Sequence, residues 1–90
     1  MSVVQSSSFI ELCKMKIQER FGLVIKELRN NKGISQERLA LDAEIDRTYI
    51  GDIEKGSRNV SLEIIEKLCN YFQIPISELF KKIENHDNNR

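Results

Sequence analysis

Apolar residues recur along the chain with the period of an α-helix, and capping residues divide them into separate runs. Ile17, Phe21, Val24, Ile25 and Leu28 are spaced to form one buried face, and Asn30, Asn31 and Gly33 then end that first predicted helix. Ser35 is a good N-cap for a second helix, which carries Leu39, Ala40 and Ala43. A short break follows at about residues 44–46. Asp46 caps a third helix bearing Ile50 and Ile53, and Gly56 ends it. Ser61 caps a fourth, with Leu62, Ile65, Leu68, Cys69 and Phe72 as its stripe. Pro75 breaks the chain, and a fifth helix is expected from Ser77 with Leu79, Phe80 and Ile83. No stretch alternates with the period of a strand, so the pattern describes an all-α, compact five-helix bundle.

Ninety residues allow one small domain with a modest core. The pattern divides the chain into an N-terminal extension at 1–14, a folded domain at 15–84 and a polar tail at 85–90. The N-terminal stretch MSVVQSSSFIELCK has no basic start followed by an apolar core, so no secretory signal is expected. Phe9, Leu12 and Cys13 are instead expected to lengthen the first helix. No apolar run nears about 20 residues, so no membrane partner is expected. Cys13 and Cys69 lack a Cys-x-x-Cys spacing, which fits a reducing, cytoplasmic setting, and Cys69 falls on an apolar stripe as a small core residue. His86 is the only histidine, and neither a phosphate loop nor a Cys/His cluster is present. No catalytic site, metal or other cofactor is therefore expected.

The net charge is zero, but its distribution is uneven. Residues 1–35 carry six Lys/Arg against three Glu, whereas residues 36–60 carry four against six Asp/Glu. A neutral total can thus contain separate basic and acidic surfaces.

The segment SQERLALDAEIDRTYIGDIEKG resembles the helix-turn-helix of the lambda-repressor and Cro-like family. The resemblance lies in Gln36 opening the second helix, small Ala40 at a helix crossing, Ile45 after the turn, buried Ile50 and Ile53, and the Ile-Glu-x-Gly ending at residues 53–56. ISELF at residues 76–80 is another ending common in that family. Within it, IDRTYIGDIEKGSRN looks most like the controller proteins of restriction–modification systems, which are small dimeric regulators of endonuclease expression. One position departs from the pattern: Glu44 stands where the turn commonly has glycine. A left-handed residue there costs roughly 1 kcal/mol.

The resemblance implies that the third helix enters the major groove of double-stranded DNA, its N-terminal residues facing base edges. In that register Arg47 can donate twice to guanine, Thr48 can bond a base or offer its methyl to thymine, and Tyr49 can reach an edge or a phosphate. The bland alternative is that Arg47 and Thr48 solvate a helix end while Tyr49 packs on the core. Gln36 is placed to meet a phosphate beside the free N–H groups of the second helix. Lys55 suits a phosphate without reading sequence. Resemblance to the controllers favours a base for Arg58; an ion pair with Glu54 is its alternative. Ser57 and Asn59 either set the loop against phosphate or make ordinary turn bonds. Gly51 either admits the DNA backbone or is a tolerated weakness in the helix.

Two further expectations concern protein partners. Glu37, Asp42 and Glu44 form an acidic group that either contacts RNA polymerase at a promoter, as controller resemblance implies, or is only a solvated face. Ile74, Ile76, Leu79, Phe80 and Ile83 are more apolar than a short terminal segment needs. Leu79 is expected to face the core, with Ile76, Phe80 and Ile83 as the surface of a homodimer bound to a palindromic operator; the alternative is that all five complete the core. A protein-interaction module on the same fold, such as an antitoxin or adaptor, and a simple phage-type repressor are the competing functional readings.

Overall fold

The computed structural model describes residues 15–86, and the expectations for residues 1–14 fall outside them. Five helices and no strands occur among the described residues: α1 Ile17–Lys32, α2 Gln36–Ala43, α3 Arg47–Lys55, α4 Leu62–Phe72 and α5 Ile76–His86. Local chemistry sets most of their ends. Ser35 accepts from the Arg38 N–H at 3.0 Å, Asp46 from Thr48 at 3.0 Å, and Ser61 from Ile64 at 3.2 Å. Each cap satisfies a donor that the helix itself cannot. α5 starts at Ile76, one residue before the expected Ser77, because the Pro75 carbonyl already accepts the Leu79 N–H at 3.0 Å. It also runs to His86, two residues into the stretch expected as a polar tail. There the His86 ring lies 3.7 Å from the Glu27 carboxylate of α1, against the body of the fold.

The core forms where the apolar faces meet. Ile25, Leu39, Ile50, Ile53, Leu68 and Leu79 are fully buried, and burial of such a side chain stabilises by about 1.5–3 kcal/mol. α3 packs across α1 and against α2, while α5 covers α1 and α4. The α1–α3 crossing depends on Gly22. A Cβ there would run into the Ile53 carbonyl oxygen, so only glycine lets the two backbones approach this closely. Ala40 is 6% exposed, within the core.

Ile83 corrects an expectation. It is 1% exposed and belongs to the monomer core, so it offers nothing to a second copy. The reason is helical phase: Ile83 follows Leu79 by four residues and shares its inward face. Ile76 and Phe80 form the neighbouring row, with Ile76 49% exposed and Phe80 partly buried. Cys69 is buried as expected, and burial pushes its thiol pKa up. No helix among the described residues is long and apolar enough to cross a membrane.

Candidate nucleic-acid interface

α2 and α3 are joined by a tight turn whose strain falls on Glu44. Its φ of 58° and ψ of 49° are left-handed, as required where glycine is more usual. The turn is closed by the Ile45 N–H donating to the Ala40 carbonyl at 2.9 Å, and Lys67 of α4 donates to the Glu44 carbonyl at 3.0 Å. These bonds hold the turn without a glycine.

Ile50 and Ile53 bury the inner face of α3, which turns Arg47, Thr48, Gly51 and Lys55 outward. With Lys26, Gln36, Asp52 and Glu54 they line one shallow depression of about 260 Å³. Arg47 and Thr48 are exposed at its mouth. A Cβ on Gly51 would meet only the Gln36 side-chain oxygen at 3.9 Å, so its lack of a side chain leaves the floor open.

A polar cluster fixes this surface from beneath. Arg29 of α1 donates to both carboxylate oxygens of Glu54, at 2.7 and 3.0 Å, and to the Ile34 carbonyl at 2.8 Å. Gln36 of α2 donates to the same Glu54 at 3.0 Å. The two charged side chains are only 11% and 4% exposed. The hydrogen bonding to Glu54 raises the Arg29 pKa against the opposing cost of burial, and the charge of Glu54 adds to the rise. Three helices are thereby locked in one mutual orientation.

The loop after α3 is also pinned. Gly56, at φ 77°, lets the chain turn back, and the Ser57 N–H and hydroxyl both donate to the Asp52 carbonyl, at 3.1 and 3.3 Å. Arg58 pairs with Asp52 at 2.9 Å, not with Glu54, whose carboxylate Arg29 and Gln36 occupy. Its guanidinium lies 4.2 Å above the Tyr49 ring. Tyr49 is half-buried and its oxygen accepts from the Ser61 N–H at 3.3 Å, which leaves the phenol proton free to donate. Asn59 accepts from Gln18 at 2.6 Å. Ser57 and Asn59 therefore make turn and tether bonds.

The acidic residues of α2 are not equivalent. Asp42 is engaged by Arg38 at 3.3 Å and by the Tyr71 hydroxyl at 3.0 Å. Glu37 is exposed and lines, with Leu41, Ile45, Asp46 and Arg47, a second depression beside α3. Glu44 is exposed at the turn. No group of His, Cys, Asp and Glu side chains among the described residues could hold a metal ion.

The helix-turn-helix family model matches residues 25–79, more than half of the chain. Control protein C.MunI from a Mycoplasma species is 48% identical over 69 residues, which span 76% of this chain and 93% of that protein. The chain belongs to the helix-turn-helix family of restriction–modification controller proteins. The family is one of transcriptional regulators, not enzymes. The controller C.AhdI from Aeromonas hydrophila has a solved structure that matches with a TM-score of 0.67 at 48% identity, over 70% of this chain and 96% of that one. The C.Esp1396I controller, solved as a tetramer with its natural 35 base-pair operator, matches with a TM-score of 0.66 at 32% identity, over 78% of this chain and 97% of that one.

For a controller, three features of this surface have no local signature. Lys26 reaches the depression beneath Arg47 and Thr48 from α1, an element the motif does not include. The Arg29–Glu54 pair joins residues 25 apart in sequence. Asp52 looks like an ordinary solvated acid until the loop folds back and brings Arg58 to it. The only hint in the sequence was the outward phase of residues 48 and 52 on α3.

Proposed function

We propose that this controller is a sequence-specific double-stranded DNA-binding transcriptional regulator that acts as a homodimer on palindromic operators. The observation that carries the reading is the outward row on α3: Arg47 and Thr48 lie exposed at the helix start while Ile50 and Ile53 anchor its other face. Arg47 suits the O6 and N7 acceptors of guanine, and Thr48 a base edge or thymine methyl. Tyr49 donates its phenol proton to an edge or phosphate. Arg58 reads a base at the rim. Lys55, Lys26 and the leading N–H groups of α2 at Gln36 meet phosphates, while Ser57 and Asn59, through their turn and tether bonds, hold the loop that carries Arg58. The family's C.Esp1396I complex with operator supports this use of the fold.

Regulation follows a concentration order: activation when one site is filled, repression when further sites fill. Glu37, Asp42 and Glu44 are the contact to RNA polymerase, with Glu37 and Glu44 exposed and Asp42 engaged by Arg38 and Tyr71. The setting is the cytoplasm. Selection of bound duplexes from a random library tests the DNA reading: a palindromic enriched sequence is expected, and no enrichment would overturn it. A reconstituted transcription titration tests the regulation. Output should rise and then fall with protein concentration, and monotonic repression at every concentration would leave a simple repressor.

A further inference from the structure

Arg58 is held on two sides in the free protein. Its Nη2 donates to Asp52 at 2.9 Å, and its guanidinium carbon lies 4.2 Å over the Tyr49 ring. Both supports are themselves fixed. Tyr49 is tied through its oxygen to the Ser61 backbone, and the Asp52 carbonyl holds the N–H and hydroxyl of Ser57, the residue before Arg58. On the far side of the loop, Gln18 holds Asn59 at 2.6 Å. The Arg58 side chain remains 39% exposed, so with one edge on Asp52 and one face on Tyr49 it is still open in part to solvent. Asp52 lines the same depression as Arg47, Thr48 and Lys55.

An acid on the outward face of a DNA-reading helix repels phosphate and calls for a reason. An arginine free in solution loses much rotamer freedom when it docks, at a cost of roughly two- to tenfold in affinity for one immobilised side chain. Clamped between a carboxylate and an aromatic face, Arg58 has already lost it. We infer that Asp52 is a positioning residue for sequence recognition: it holds Arg58 in its reading orientation before DNA arrives and prevents it from swinging onto the nearest phosphate. Asp52 therefore strengthens binding to the preferred sequence and weakens binding to other DNA. The inference rests on the reading of Arg58 as a base contact.

The test is Asp52→Asn, which removes the charge and keeps the shape. Two duplexes serve as probes, one enriched from a random library by the wild-type chain and a scrambled version of it. Binding to the enriched duplex should weaken roughly two- to tenfold, the factor that corresponds to ordering one side chain. Binding to the scrambled duplex should stay level or tighten, with a steeper salt dependence by about one phosphate. In an Arg58→Ala background the same substitution should no longer weaken the enriched duplex. Thermal melting of each variant separates folding from recognition, and a structural defect would weaken both duplexes alike. Equal weakening of both, tightening of both, or an undiminished effect in the Arg58→Ala background would each overturn the role of Asp52. An Arg58→Ala chain with unchanged sequence preference would instead overturn the base contact on which it rests.

Discussion

Arg47 and Lys55 stand two turns apart on the outward face of α3, and on the proposed reading the same charge serves different ends at the two positions. Arg47 is exposed at the leading edge, where a helix laid in the major groove comes closest to the bases. Its planar fork matches two acceptors on one guanine, so its energy depends on which base is there. Lys55 lies in the last turn as a point charge without a hydrogen-bonded partner among the described residues, and every sequence offers it the same phosphate. Arg47→Ala should therefore cost about 1–3 kcal/mol on the preferred duplex and relax discrimination at one base pair. Lys55→Ala should weaken preferred and scrambled duplexes by similar factors and lower the salt dependence by about one phosphate. Titrations of both variants against both duplexes at several salt concentrations would measure this. An Arg47→Ala chain that keeps its sequence preference would remove Arg47 from the reading face.

The α2–α3 turn is where an element deviates from its family's habit. Glu44 is held left-handed at φ 58°, a conformation that costs a residue with a Cβ roughly 1–2 kcal/mol. Its side chain is exposed, and the turn's bonds involve only its backbone, including the carbonyl that accepts from the Lys67 ammonium, so none is lost when the side chain is removed. Glu44→Gly relieves the strain but gives the unfolded chain more freedom, which offsets part of the gain. The expected net effect is up to about 1 kcal/mol of added stability, or up to about 4–8 °C in Tm, with unchanged sequence preference. A lower Tm would mean that the carboxylate makes a contact the turn needs. This element was legible because its determinants are local: Ser35, Asp46, Gly56 and Ser61 act within a few residues, and each stands at the helix end read from the sequence. Determinants across the fold were not legible. Nothing near Gly22 reveals that the Ile53 backbone passes over it, and nothing near Arg29 reveals Glu54. The alternative for Arg58, an ion pair with Glu54, has the four-residue spacing of a continuing helix. Gly56 ends that helix, and the returning loop meets Asp52 instead.

Across the whole molecule, the remaining question is what covers the apolar residues left outside the core. One recognition helix reads only a few base pairs, too few for a useful specificity ratio in a genome. Two copies related by a two-fold axis would read half-sites about 34 Å apart, or a multiple of that. Ile76 is 49% exposed and Ile17 55%, and Phe80 lines with Ile17 an open apolar depression of about 210 Å³ between α1, α4 and α5. Arg47, Thr48 and Lys55 lie outside this depression, but Arg58 and Asn59 line its rim, so a partner seated on Ile76 and the α5 side of Phe80 leaves the DNA-facing residues free only if it stops short of that rim. Ile83, buried one row further in, supplies the control. Phe80→Asp should yield folded monomers that bind a full palindrome far more weakly, because a charge at a partly buried apolar contact opposes association before it disrupts the fold. Ile83→Ala should instead lower stability by about 2–5 kcal/mol through the cavity it leaves. Sedimentation equilibrium and urea titration of the two variants separate association from folding. Binding to one half-site and to two then tests the consequence for DNA. A wild-type monomer that holds a lone half-site as tightly as the full palindrome would end the case for the dimer.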